Sequence, residues 1–234
     1  MQLKSLFFSL ILLSIFSFSY DMLDLQMAVG ERNQEKVLSI LNSLVYEKLP
    51  LEFKCEVILA YTDLYFWGEN IPKNDYQELA KKYVDELLKK DQTYWKVYYA
   101  AALVYGHYVQ KNYLLALFYS SKVFNYAKKS VELGQDQYLA HLLYGILNLE
   151  TPFGKLELAE KHLLRALELN PNHVYTYVEL GKLYEKKKEC RKAKEMYKVA
   201  LKIPGMKIWS YINKEGKIEA RQRLSEVEKR CTSE

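Results

Sequence analysis

The sequence predicts an all-α protein made of stacked helix pairs, and three observations carry that prediction. Gly (9) and Pro (5) are scarce in a chain of 234 residues, a composition that favours long helices over turns and strands. Apolar residues recur at helical spacing, as at Tyr76, Leu79, Ala80, Tyr83, Val84, Leu87 and Leu88, which marks an amphipathic stripe. A fixed pattern of small and aromatic positions repeats between residues 137 and 205, and internal repetition at this period decides a fold.

The chain opens on an export signal. Lys4 supplies a positive charge, and Leu6 to Phe18 is a thirteen-residue run of Leu, Ile, Phe and Ser. Ser17 and Ser19 then put small residues where a signal peptidase reads them. Cleavage is expected between Ser19 and Tyr20, so that 1–19 is a cleaved signal peptide. The competing reading is a membrane anchor, but a span needs roughly 20 apolar residues. No cysteine follows the run, so a lipoprotein anchor has no support. The expectation is a periplasmic or secreted protein with no stable membrane anchor after cleavage. Its single helical domain covers 20–231, and 232–234 form a frayed tail.

The elements follow in order from their punctuation. A helix from Gln34 to Glu47 is capped by Asn33 and closed by Leu49-Pro50. The next, Leu51 to Trp67, ends at Gly68-Glu69-Asn70-Ile71-Pro72, and Asp75 to Lys90 carries the stripe above. Helices over Thr93–Gln110 and Tyr113–Leu133 meet at Lys111-Asn112. One beginning near Gln137 stops at Thr151-Pro152, and Leu156–Leu169 runs to Asn170-Pro171-Asn172. His173–Lys187 and Glu189–Ile203 precede Pro204-Gly205, and a capping helix over 214–230 closes the chain.

The segment 173–205 carries Tyr177, Leu180, Gly181, Tyr184, Ala193, Tyr197 and Ala200, at successive spacings of 3, 1, 3, 9, 4 and 3. Gly181 and Ala193 are small where two helices must touch, and the larger residues fill the holes around them. In 137–171, Tyr144-Gly145 stands for Leu180-Gly181, while Ala159, Leu163 and Ala166 repeat the 4 and 3 spacing before Pro171. Ser120, Phe124 and Ala127 keep that spacing upstream, as do Ala80, Val84 and Leu87. This is the tetratricopeptide signature. It predicts a tetratricopeptide-like helical repeat superhelix or bundle of about four pairs, two of them divergent, with a C-terminal capping helix.

Further residues carry a narrower resemblance. They are Trp67-Gly68, Tyr94-Trp95, Tyr126-Ala127, Tyr144-Gly145, and Thr151-Pro152-Phe153-Gly154-Lys155 followed by Ala159, Ala166 and Asn170-Pro171. Across Leu51 to Pro204 the chain resembles a divergent tetratricopeptide family. That family includes the T component associated with tripartite ATP-independent periplasmic (TRAP) transporters and the regulators of microtubule dynamics. It departs from the transporter-associated members in having Gly154-Lys155 where a double glycine is usual, and in lacking a lipoprotein cysteine. The resemblance implies a helical bundle with a groove or pore for a small apolar or amphipathic ligand. It also implies a protein partner, such as a periplasmic solute receptor, and admits a homo-oligomer.

No catalytic constellation is legible, and no cofactor is implied. His107, His141, His162 and His173 form no i, i+4 metal pair, and no cysteine is spaced to join them. His141 reads as a satisfied core imidazole. Phosphate-binding glycine loops and nucleophile motifs are missing from the sequence. The net charge of +5, one less after loss of Lys4, is mild and gathers over Lys182–Lys202 and Lys207–Arg230. Solvated helix faces explain it better than nucleic acid. The protein is read as a binder, with no enzyme activity.

Cys190 opens a helix along which the capping helix should return antiparallel, bringing Cys231 beside it. A disulfide there would be worth roughly 3–4 kcal/mol in an oxidising compartment; the other reading is two free thiols. Cys55 reads as a core thiol. The clearest functional clue is apolarity in excess of packing needs. Tyr138 to Leu149 carries no charge, and from the Gly145 register its concave positions are Leu139, Leu142, Ile146 and Leu149. Tyr99, Leu103 and Tyr175 extend the set onto neighbouring helices. A helix apolar all round must be covered on all sides. The bland cover is neighbouring helices; the functional one is a ligand or partner segment in a groove. The alternative function is a structural module of the cell envelope that docks through its basic C-terminal helices.

Overall fold

Asp21 starts the first element. Its side chain accepts the Asp24 N–H while Asp24 accepts the Asp21 N–H, a capping box that satisfies two orphan donors. In the computed structural model, which describes residues 20–111, 113–152 and 154–231 (and no side chains over 110–118), this opens α1, Met22–Gly30. The proposed leader 1–19, the tail 232–234 and Phe153 lie outside the described residues.

Ten further helices follow: α2 (Gln34–Ser43), α3 (Leu51–Trp67), α4 (Lys73–Lys90), α5 (Trp95–Lys111), α6 (Tyr113–Leu133), α7 (Tyr138–Glu150), α8 (Leu156–Leu169), α9 (Val174–Lys186), α10 (Cys190–Lys202) and α11 (Ser210–Arg230). Among the described residues there is no strand, and no helix is long and apolar enough to cross a membrane. The all-helical expectation holds, and most boundaries fall within a few residues of the punctuation.

Three elements differ from expectation. α1 was not anticipated, so five pairs precede α11 where four were counted. The helix expected to run to Glu47 ends at Ser43, because Leu44 and Val45 turn extended before a 3-10 turn at Tyr46–Lys48. α11 begins at Ser210, four residues early, continuing from the 3-10 turn Lys207–Trp209.

Each even-numbered helix packs only between its two odd-numbered neighbours, while each odd-numbered helix also touches the next odd one. The small residues sit where these pairs cross. A side chain at Gly181 would overlap the Tyr197 ring of α10, and one at Gly145 would meet Leu163 of α8. Ala159, Ala166, Ala193 and Ala200 are fully buried, and Tyr177 and Tyr184 are nearly so, in one core shared by α7 to α11. A second core joins α3 to α6, and a third joins α1 to α3. Stacked units of this kind each bury their faces on neighbours only.

The stack closes on itself. α1 touches α11 and the 207–209 turn as well as α3, so the six odd helices form an inner ring with the even ones outside. At the seam, Gly30 lies so close to the Ile208 carbonyl that no side chain would fit, and Ser210 Oγ donates to the Gly30 carbonyl. Arg32, at φ 52°, occupies the left-handed position after α1 that glycine usually takes. Its guanidinium donates twice to Glu215, at 2.9 and 3.4 Å, and lies 3.9 Å from the centre of the Tyr211 ring.

Candidate functional site

A helix in a ring has one face toward the lumen, and 3.6-residue periodicity identifies it once the packed faces are known. On α3 the core faces take Cys55, Ile58, Val57, Ala60 and Leu64, which leaves Glu52, Glu56, Leu59, Asp63 and Phe66 inward. On α5 the same reasoning leaves Lys96, Tyr99, Leu103 and Gly106. A side chain built on Gly106 would meet no atom within 4 Å, so this face opens on free space. On α7 the inward residues are Leu139 and Ile146, on α9 Tyr175, Glu179 and Lys182, and on α11 Glu215, Ile218 and Glu219.

Of the seven groove residues read from the sequence, Tyr99, Leu103, Leu139, Ile146 and Tyr175 are half-buried, and Ile146 also packs against the core of α7 to α11. Leu142 and Leu149 differ. Both are buried in the core shared with α8 and α9, because they lie on the flank of α7 rotated toward the next pair. The apolarity of α7 thus has two causes, an interhelical flank and a lumen face. Phe66 and Ile218, 59% and 44% exposed, join the lumen face.

Phe66, Tyr175 and Ile218 also line an open cavity of about 680 Å³ with Arg32, Glu215 and Glu219. That volume is within the range of small-molecule sites. Its walls mix apolar surface with ion pairs already made.

Those pairs run round the ring. Lys96 reaches Glu56 at 2.7 Å and Glu52 at 3.5 Å, and Gln26 of α1 donates to Glu56. Lys182 bridges Glu179 at 2.8 Å and Glu219 at 2.9 Å. Arg223 joins Glu219 to Glu185, and Glu185 also binds Arg230 and accepts the Tyr197 hydroxyl. Asp63 has no such partner. Burial raises its carboxyl to about 7, against the opposing field of Arg32 and a hydrogen bond from Trp67, with Glu56 adding to the rise. Burial likewise drives the Tyr99 hydroxyl far above its ordinary range, although Tyr99 keeps some solvent contact. Partial exposure with deep enclosure is what a wall of an enclosed lumen combines.

Behind α7, His141 and His162 form a buried pair with Nδ1 atoms 2.9 Å apart. His141 Nε2 is 3.1 Å from the Gln135 carbonyl, which can only accept, so His141 carries its proton on Nε2. Its Nδ1 is then the acceptor and His162 Nδ1 the donor. Desolvation lowers both imidazoles, His162 to about 4 with the His141 field adding to the effect. The sequence reading of His141 as a core imidazole missed its partner, 21 residues away on α8. His173 sits buried at the start of α9 against Thr176, its imidazole also pushed down to about 4.

Cys190 and Cys231 are joined as a disulfide with Cα atoms 6.3 Å apart, tying the end of α11 to the start of α10. Cys55 is fully buried, and burial pushes its thiol up to about 12. No family model matches the chain, and no curated protein matches it.

Proposed function

We propose that this chain is an exported, tetratricopeptide-like binding protein that takes a small amphipathic molecule into the lumen of its helical ring and performs no chemistry on it. The observation that carries the reading is the apolar belt of Leu103, Leu139, Ile146, Phe66 and Ile218. These side chains remain half-buried or exposed inside the ring, Ile146 with one side against the α7–α11 core. Apolar surface kept open in a concave site is the usual mark of ligand capture. The resemblance to the T component of TRAP transporters supports the same reading, with a solute receptor as the partner protein. Calorimetric titration with decanol tests it. One equivalent should bind the wild type, and Ile146→Asp and Leu103→Asp should bind none while keeping the wild-type circular dichroism. Absence of binding to the wild type, or full binding by both folded variants, would refute the lumen as a site.

A second reading rests on a different surface. Arg191, Lys194, Lys198 and Lys202 form one exposed or half-exposed stripe on α10, beside Lys214, Lys217 and Arg221 of α11. None of the seven makes an ion pair with a described residue, unlike the cations of the lumen. Such a face suits docking to an acidic partner in the cell envelope. Charge reversal at Lys194, Lys198 and Arg221 separates the readings: it should leave decanol binding intact and abolish any envelope association.

A further inference from the structure

Among the buried and half-buried acids of the lumen wall, Asp63 alone lacks a cation. Glu56 has Lys96, Glu179 has Lys182, Glu215 has Arg32, and Glu219 has both Lys182 and Arg223. Arg32, the one whose field reaches Asp63, spends two N–H groups on Glu215 and its face on Tyr211. The remaining partner of Asp63 is the Trp67 indole one turn along its own helix, which leaves acceptor capacity unused. Asp63 keeps some exposure to the lumen, yet a carboxyl so deeply enclosed with neither counter-ion nor full hydrogen bonding is costly to the fold. That cost is recovered when a ligand brings the missing charge.

From this geometry we infer that the lumen selects amphipathic molecules bearing a protonated primary amine, with Asp63 as the counter-ion and the Leu103–Leu139–Ile146 belt holding the apolar tail. The inference rests on the reading of the lumen as an amphiphile site. Ammonium fits the vacancy because it supplies three donors to acceptors that have few. Glu56 lies two turns before Asp63 on the same face of α3, and Tyr99 of α5 shares the field of both. An anionic head group would meet these carboxylates without a free cation in the wall to offset them. The unpaired cations of α10 and α11, such as Lys194, Lys198 and Arg221, lie on outer faces rather than among the acids of the lumen wall.

The test is a calorimetric titration of the full mature chain at pH 8 with three ten-carbon probes: decylamine, decanol and decanoate. Decylamine should bind about tenfold or more tighter than decanol, and decanoate more weakly than decanol. In Asp63→Asn, which keeps the shape and the Trp67 acceptor, decylamine should fall to the affinity of decanol while decanol itself is unchanged. The three-probe ranking on the wild type stands without any variant. Equal binding of decylamine and decanol, or retention of the amine preference in Asp63→Asn, would overturn the assignment while leaving the lumen reading in place. Failure of all three probes to bind would remove both.

Discussion

Arg32 and Glu215, 183 residues apart in the chain, are joined by two hydrogen bonds that close the helical ring. The bond is made by a residue in left-handed backbone geometry, which costs a non-glycine side chain roughly 1–2 kcal/mol. The seam is where that cost is offset.

Arg32→Ala should therefore loosen the seam. The pair is partly exposed (24% and 39%), so solvent screening holds its own worth to about 1 kcal/mol, with a similar amount from the stacking on Tyr211. A double-mutant cycle with Glu215→Gln, followed by urea denaturation, should return a coupling of about 0.5–1 kcal/mol. Hydrogen exchange should rise in α1 and at the start of α11 first. Strict additivity of the two substitutions would show that the seam is not held by this pair.

The histidines and Asp63 pull stability in opposite directions as pH falls. His162 and His173 titrate near 4 when folded and near 6.5 when unfolded. Their contribution is complete above about pH 6.5 and is lost as pH drops toward 4. Each should cost about 1–2 kcal/mol between pH 7 and pH 5. Asp63, raised to about 7, does the reverse, destabilising the fold as pH rises through that range. His162→Phe should flatten the acid loss relative to wild type, measured by urea midpoints at pH 5 and pH 7. An unchanged slope would mean that the imidazole pair is not buried neutral.

Asp63→Asn should stabilise the protein at pH 8 by about 1–3 kcal/mol, because it removes a charge with no counter-ion. The gain should shrink by pH 5, where the native carboxyl is already protonated. Thermal melts at the two pH values decide this. A loss of stability at pH 8 would mean that Asp63 has a cationic partner in solution.

Two glycines make opposite predictions. Gly181→Val should cost about 1–3 kcal/mol through overlap with Tyr197. Gly106→Ala, opening on free space, should be neutral or gain up to about 1 kcal/mol from helix propensity. Equal effects at the two positions would contradict the packing of α9 on α10 or the openness of the lumen.

Cys231→Ser should destabilise by about 2–4 kcal/mol, and peptide mapping without reductant should recover the Cys190–Cys231 cross-link. Free thiols at both positions in protein from an oxidising compartment would count against the bridge.

Many helix positions were legible because proline, glycine or asparagine follows the helix, as at Gly68, Gly134 and Asn170, and the α9–α10 contact because Gly181 and Ala193 stand at repeat spacing. The ring was not. Its closure is a contact between Gly30 and Ile208, and no local period encodes a meeting across the whole stack. α1 was missed for a related reason: nine residues that follow the apolar run 6–18 closely carry little periodicity of their own. Leu142 and Leu149 showed the limit of register, since the apolar surface of α7 serves an interhelical flank where both are buried. Asp63 was invisible in the sequence. Acids on helix faces are common, and only the pairing of Lys96, Lys182, Arg32 and Arg223 with the other lumen carboxylates sets this one apart.

An open solenoid behaves as a spring, lengthening and unwinding at low force. Latched end to end through Gly30, Arg32 and Ser210, this one is a hoop, and its diameter is fixed by how six rods press on one another. A guest of the kind proposed would have to pass an open end of the hoop or wait for the latch to part. The dwell time of such a molecule would then depend on the strength of the latch as well as on the guest's own contacts.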